Sequence, residues 1–292
     1  MQIKQYILFF TLIVSFSSAY CKTVFTYIGP ESNADPRVYY VKRVLELALE
    51  KTRAEYGDYE LKPTAPNVNV GRLTLQMEQK LYPNIFFKMS ITDELLEQYH
   101  VIPFPVDRGA TGYRVAFVHS SVARKFCPVT NKNQLKKFSI VQGIGWLDTD
   151  ILKYNGLKVY DISEYQQMFG MVDKNRIDLF LRGINEIDVE MELIKNNYPS
   201  IALEPCLLVH YPLPRFFVTY KDNTTNAERV ETGLKLAFED GSFIKLWNEY
   251  YAEGIEKLQM QNRHVLELEN PFIKNLGNDY LQYQYSFSIP AE

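Results

Sequence analysis

Hydrophobic and polar positions in this chain switch between a period of two and a period near 3.6, most clearly in its middle. Phe138, Ile140 and Val141 form a short apolar strand that runs into Gly143-Ile144-Gly145-Trp146. The helix expected next stops at Asn155-Gly156, a pair suited to a left-handed helix exit. A second strand is expected over 157–162. Ser163 and Gln166 have the spacing of a capping box. Tyr165, Met168, Phe169 and Val172 then recur at i, i+3, i+4 and i+7, one face of a helix. A third strand, 177–181, ends at Arg182-Gly183. This β-α-β-α-β order implies parallel strands with right-handed crossovers. In such units ligands sit beyond the carboxyl ends of the strands, where helix N-termini point. One such end carries Trp146, Asp148 and Thr149. Another carries Arg182, Asn185 and Glu186.

The flanking regions follow the same grammar. Residues 24–28 read as a strand. Asp35 and Pro36 are suited to the N-cap and first position of a helix whose face is Val38, Val41, Leu45, Ala48 and Thr52. Strand is expected again at 59–62. Residues 67–71 read as a linker, and Leu73, Met77 and Leu81 suggest a short helix. A buried strand spans 84–89, Thr92 caps the helix after it, and 112–119 is a strong strand. A helix over 188–197 would place Val189 and Leu193 on one side. Strand 201–209, the rigid Tyr211-Pro212-Leu213-Pro214 and strand 215–220 follow. Two helices then carry Ala227, Val230, Leu234 and Ala237, and Phe243, Leu246, Trp247 and Tyr250. Beyond residue 250 no period stands out.

Composition narrows the function. With 292 residues and 46% hydrophobic positions the chain has enough apolar side chains for a full core. A net charge of −3 with no basic run argues against nucleic acid as a partner. The four histidines and three cysteines make no metal-ligand spacing, and no phosphate-binding or nucleophile motif is present, so neither cofactor nor metal is expected. Lys4, the apolar run 7–16 and Ser17-Ser18-Ala19 have the order of a cleaved signal peptide, residues 1–19. The alternative, a membrane anchor, needs a longer apolar run. Export to the periplasm would permit disulfides. Cys127 with Cys206 is the pairing expected, since both fall in one half of the chain; three buried thiols are the alternative.

Four segments in order resemble the periplasmic solute-binding proteins of bacterial transport systems, extracellular solute-binding family 3. Residues 87–93, FKMSITD, resemble the family's Ser/Thr loop after the first-domain strand. Residues 135–143, LKKFSIVQG, resemble the start of its second domain. Residues 175–179, NRIDL, resemble its "GrvDa" segment. Residues 234–247, around Asp240-Gly241-Ser242, resemble its closing helices. The stretches GIGWLDTDIL, FLRGINE and YPLPRFF further resemble a subgroup of these proteins. The resemblance implies an α/β, two-lobed periplasmic-binding-protein-like fold of type 2, with mixed sheets flanked by helices and two crossing strands. Residues 20–114 and 215–292 would form lobe 1, and 115–214 lobe 2. The crossings would be 112–119 and 213–220, and a small polar molecule would bind between lobes that close by a hinge. The chain departs from the family at two places. The arginine that clamps an α-carboxylate in the amino-acid binders falls at Leu95, and the carboxylate that holds the ammonium falls at Gly183.

The residues expected to bind ligand are therefore Ser90, Thr92, Arg114, Trp146, Asp148, Arg182 and Glu186. Each has a plainer alternative. Trp146 could cover the seam between helix and sheet rather than stack on a ligand. Arg182 and Glu186 could stitch one lobe together. Thr92 could only cap its helix, and Arg114 could serve a hinge ion pair. The expected function is an exported, monomeric solute-binding protein, not an enzyme, that hands its ligand to a membrane permease or a sensor receptor. Two rivals are an enzyme similar to periplasmic dehydratases, with Glu186 as acid or base, and a ligand-free interaction module whose cleft is filled by its own side chains.

Overall fold

The structure, a computed structural model, describes residues 22–29, 36–65, 76–77 and 79–286. The expected signal peptide, Cys21, the Asp35 cap and the linker at 67–71 lie outside the described residues. Two mixed sheets organise the chain. The smaller contains β1 (Thr23–Tyr27), β2 (Tyr59–Pro63), β3 (Ile85–Ser90), β4 (Tyr99–Pro105) and β11 (Arg215–Tyr220), in the order β2-β1-β3-β11-β4. The larger contains β5 (Tyr113–His119), β6 (Ser139–Gly143), β7 (Lys158–Ile162), β8 (Leu179–Gly183), β10 (Leu207–His210) and β12 (His264–Glu267). Its order is β12-β10-β5-β8-β6-β7, and β9 (Ile201–Leu203) pairs with β5. The expected β-α-β-α-β unit is β6 to β8, with β6 parallel to both β7 and β8.

The period-two pattern of the central strands sorts their side chains to two faces. Val141 and Phe180 point to one face, where Met168, Phe169 and Val172 of helix Tyr165–Asp173 cover them. Ile140, Leu179 and Leu181 point to the other and meet Ile151 and Leu152 of helix Leu147–Tyr154. The first cluster continues without a break through Phe25, Phe86 and Phe104 of the smaller sheet. A disulfide joins Cys127, which follows β5, to Cys206, which precedes β10.

Helix Ile187–Ile194 buries Ile187, Glu190 and Ile194 and leaves Leu193 57% exposed, so the expected Val189/Leu193 face is turned away from the core. The physical reason is Glu190: its carboxylate has a buried arginine partner, and that partner decides which face turns inward. The expected capping box at Ser163 and Gln166 is not formed. Glu164 is the N-cap there and makes no side-chain cap.

The chain passes between the sheets over residues 106–112 and 211–214. Both are shorter and earlier than the expected crossing strands, because β5 and β11 each lie wholly within one sheet. Arg108 (φ 56°) and Gly109 (φ 73°) turn the first passage through the left-handed region. The Asp107 carboxylate accepts from the Gly109 N–H at 3.1 Å and from the Thr111 hydroxyl. At Gly112 the two passages touch: a Cβ there would lie 2.4 Å from the Tyr211 carbonyl oxygen.

The end of the chain does not all belong with lobe 1 as expected, because β12 runs parallel to β10 in the larger sheet. Buried Arg263 fixes the approach, donating to the carbonyls of Leu258, Glu204 and Leu207. The chain then returns. Asn155 holds the backbone of Glu269, Asp93 takes the N–H groups of Lys274 and Asn275, and Tyr280 packs on Phe216 in the smaller sheet. The sheets are therefore linked by four passages of chain.

Candidate functional site

The strand ends singled out by the sequence converge with the second passage. Arg114 is the second residue of β5, and Arg182 and Gly183 end the neighbouring strand β8. Trp146 is the N-cap of helix Leu147–Tyr154, which follows β6, and Asp148 lies in its first turn. Glu186 lies one turn beyond β8, at the N-cap of helix Ile187–Ile194. Facing them across the sheets is Arg215, the first residue of β11, paired in register with Ser90 of β3.

These groups form one network. Arg114 is 2% exposed and pairs with Asp148 and, at 3.3 Å, with Glu186. Asp148 also accepts from the Tyr211 hydroxyl at 2.7 Å. Arg182 grips both Glu190 oxygens through Nε at 2.9 Å and reaches Glu186 at 3.2 Å. The Tyr165 hydroxyl donates to Glu190 as well. Such fork-shaped guanidinium–carboxylate contacts are the strong ones, and in a buried setting each charge depends on its partner. Glu186 accepts in addition from the Gly183 N–H at 2.9 Å, and its other oxygen lies 3.8 Å from Arg215.

The charges hold one another ionised. Burial alone would push the Glu186 carboxyl up, but Arg182, Arg114, Arg215 and the Gly183 N–H outweigh it and bring it down to about 2. Burial likewise opposes charge on Arg182, yet Glu186 and Glu190 raise its pKa well above the usual arginine value. Glu186 therefore carries no proton to give at neutral pH, and a carboxylate held so low is a weak base.

Trp146 lies over Gly143 and packs beside Phe180, with ring centroids 6.5 Å apart. The Arg182 guanidinium sits 4.9 Å from its ring. The tryptophan thus covers the helix–sheet seam and supports Arg182. Asp148 is engaged by Arg114 and Tyr211 rather than left at the helix start for a ligand. Thr92 caps helix Asp93–Gln98 by accepting from the Leu95 N–H at 3.3 Å. Among the described residues no contact joins Thr92 to the network. Sequence reasoning missed Glu190, Tyr165, Tyr211 and Arg215. Only Glu190 had a signal, an acidic residue four positions after Glu186 and eight after Arg182. Cys127, Cys206 and Glu204 bring donor atoms within 4.8 Å of one another, but the two sulfurs are bonded to each other. Surface cavities of about 510 and 400 Å³ lie elsewhere, one beside Tyr99 and Tyr220, the other beside Trp247 and Tyr285.

No family model matches the chain, and no curated protein matches it in sequence. Solved structures do match in shape. A periplasmic His/Glu/Gln/Arg/opine family-binding protein from Silicibacter pomeroyi, in complex with lysine, superposes with a TM-score of 0.55 at 9% identity, over 80% of this chain and 98% of its own. The amino acid ABC transporter substrate-binding protein AbpA from Streptococcus pneumoniae, bound to L-arginine, gives 0.54 at 13% identity, over 80% and 96%. An ancestral arginine-binding protein bound to glutamine gives 0.53 at 14%, over 79% and 97%. The fold is that of the solute-binding proteins. At these identities the likeness is one of fold, and these neighbours are binding proteins rather than enzymes.

On the solute-binding fold the two departures acquire a local cause. A Cβ at Gly183 would stand 3.0 Å from the Glu186 carboxylate and 2.8 Å from the Asn185 side-chain oxygen. The space expected to hold a carboxylate at 183 is filled by the one at 186, folded back onto the Gly183 N–H. Leu95, at the position of the expected arginine, packs partly buried against the apolar cluster around Ile91 and Tyr99. The basic groups come instead from β5, β8 and β11.

Proposed function

We propose that this chain is an exported solute-binding protein that captures a small polar molecule between its two lobes and presents it to a membrane permease or receptor. The reading rests on one observation above all. Arg215, from the smaller sheet, meets the larger sheet's Glu186 at 3.8 Å, a contact too long for a hydrogen bond. A ligand entering between them would lose little by separating them, while the groups behind Glu186 stay fixed. The proteins of like fold bind amino acids, which makes that class the first to try. The chain does no chemistry in this reading, since Glu186, the candidate acid, is held ionised.

A thermal-shift screen of the chain from Tyr20 onward, against amino acids, polyamines, di-acids and short peptides, tests this. A ligand at a hundred times its dissociation constant adds about 2.7 kcal/mol of stability, a shift of several degrees. The shift should vanish in Glu186→Gln. A second reading, an interaction module without a ligand, is favoured by the internal ion pairs that engage Arg114, Asp148, Arg182 and Glu190. A well-folded chain that responds to nothing in the panel would move the assignment there.

A further inference from the structure

The charged groups of the site differ in how far their bonding capacity is used. Arg182 spends its guanidinium on Glu190 and Glu186, and Arg114 spends its terminal nitrogens on Asp148 and Glu186. Arg215 spends nothing. Its side chain is 32% exposed, and its nearest carboxylate oxygen is at 3.8 Å. Its Nε, like that of Arg114, is buried without a hydrogen-bond partner, but only Arg215 also leaves its terminal nitrogens without a hydrogen bond. Among the described residues no side-chain hydrogen bond reaches it. A guanidinium offers five N–H donors in a flat fork, and a partly buried one left without an acceptor is costly.

The position of Arg215 adds a second argument. Pro212 and Pro214 stiffen the passage leading to it, and its carbonyl accepts from the Val106 N–H of the other passage at 2.8 Å. Its backbone is thereby anchored where both passages meet the smaller sheet, so the side chain projects from a fixed base. Ser90 lies beside it across the ladder. Glu186 can leave Arg215 without becoming unpaired, because Arg182, Arg114 and the Gly183 N–H still hold it.

We propose that Arg215 is the specificity-determining residue that takes the ligand's carboxylate, displacing the Glu186 oxygen that faces it. This rests on the solute-binding reading above. The carboxylate lies in the plane of the guanidinium and accepts from Nε and one terminal nitrogen, the geometry a carboxylate matches and an ammonium cannot. The displaced Glu186 oxygen then faces whatever group the ligand carries next to its carboxylate. A monoanion fits this arrangement better than a doubly charged phosphate, which Glu186 would repel.

The test titrates the chain with matched series of 2-amino, 2-hydroxy and 2-oxo acids, and with the corresponding amides, read by thermal shift and calorimetry. Arg215→Gln and Arg215→Lys are titrated in parallel. The natural chain should bind at least one acid, and its amide on the order of 100-fold more weakly. Arg215→Gln should lose the acid by a similar factor and treat acid and amide alike, with Arg215→Lys in between. The series that binds best identifies the group met by Glu186. A shift retained in Arg215→Gln overturns the assignment of Arg215 alone. No shift with any acid, in a natural chain that responds to another class of the wider panel, overturns this inference alone; no response to any class withdraws the solute-binding reading and this inference with it.

Discussion

The two sides of the candidate site are built from the same residue types to opposite effect. On the larger sheet, Arg114 and Arg182 are nearly inaccessible, and their terminal nitrogens meet Asp148, Glu186 and Glu190. On the smaller sheet, Arg215 is one-third exposed and has only a long contact to Glu186. The first side is a lattice of mutual dependence, in which removing one member leaves another charge buried and alone. The second is a single group with capacity to spare. Burial and charge therefore do not by themselves mark a binding residue. What sets Arg215 apart from Arg114, whose Nε is also unpartnered, is its exposure and the absence of any hydrogen bond to its terminal nitrogens, and the sequence signals pointed mostly to the sealed side.

The comparison can be broken most forcefully at Arg182. Arg182→Ala should cost about 3–5 kcal/mol in urea unfolding, because Glu190 and Glu186 both lose a buried partner. A loss below about 1 kcal/mol would mean that the larger-sheet side is not locked as described. Acid gives the next effect. The Glu186 pKa is depressed in the folded chain, from 4.5 to about 2, so the stabilisation it provides is complete above pH 4.5 and is lost as pH falls toward 2. Over that window the loss attributable to Glu186 should be about 3 kcal/mol. Unfolding curves at pH 5, 4, 3 and 2, with Glu186→Gln as the control that lacks this component, would measure it. The smallest effect sharpens the contrast. Arg215→Gln should change unfolding stability by less than about 0.5 kcal/mol without ligand, since no side-chain hydrogen bond is broken. A loss as large as that of Arg182→Ala would erase the distinction between the two sides.

The parts of the fold legible in the sequence were those where a period and its punctuation agreed. β6 to β8 carries alternating apolar strands, a helix face at Met168, Phe169 and Val172, and the stop at Asn155-Gly156, and each is found where expected. Where a specific polar contact competed with apolar periodicity, the period misled. Val189 and Leu193 outline a plausible face, but Glu190 has a buried arginine to meet. Arg215 was illegible for a different reason. It opens a strand after Pro-Leu-Pro, an unremarkable place for an arginine in one dimension, and its importance comes from a carboxylate 29 positions earlier in the chain. The turn from 258 to 286 was illegible because it has no repeat of its own. Its order comes from hydrogen bonds with the side chains of Arg263, Asn155 and Asp93.

The four passages between the sheets bear on the order in which the molecule is made. The smaller sheet lacks an interior strand until residues 215–220 exist, and the larger lacks an edge until residues 264–267 do. The smaller sheet gains its last strand at residue 220 and the larger at residue 267. Chains usually finish one domain before the next is synthesised. Here most of the polypeptide must be present before either sheet is complete, so both halves close late. That schedule makes the closing of each half a late event, set by the last strand to arrive rather than by the first strands made.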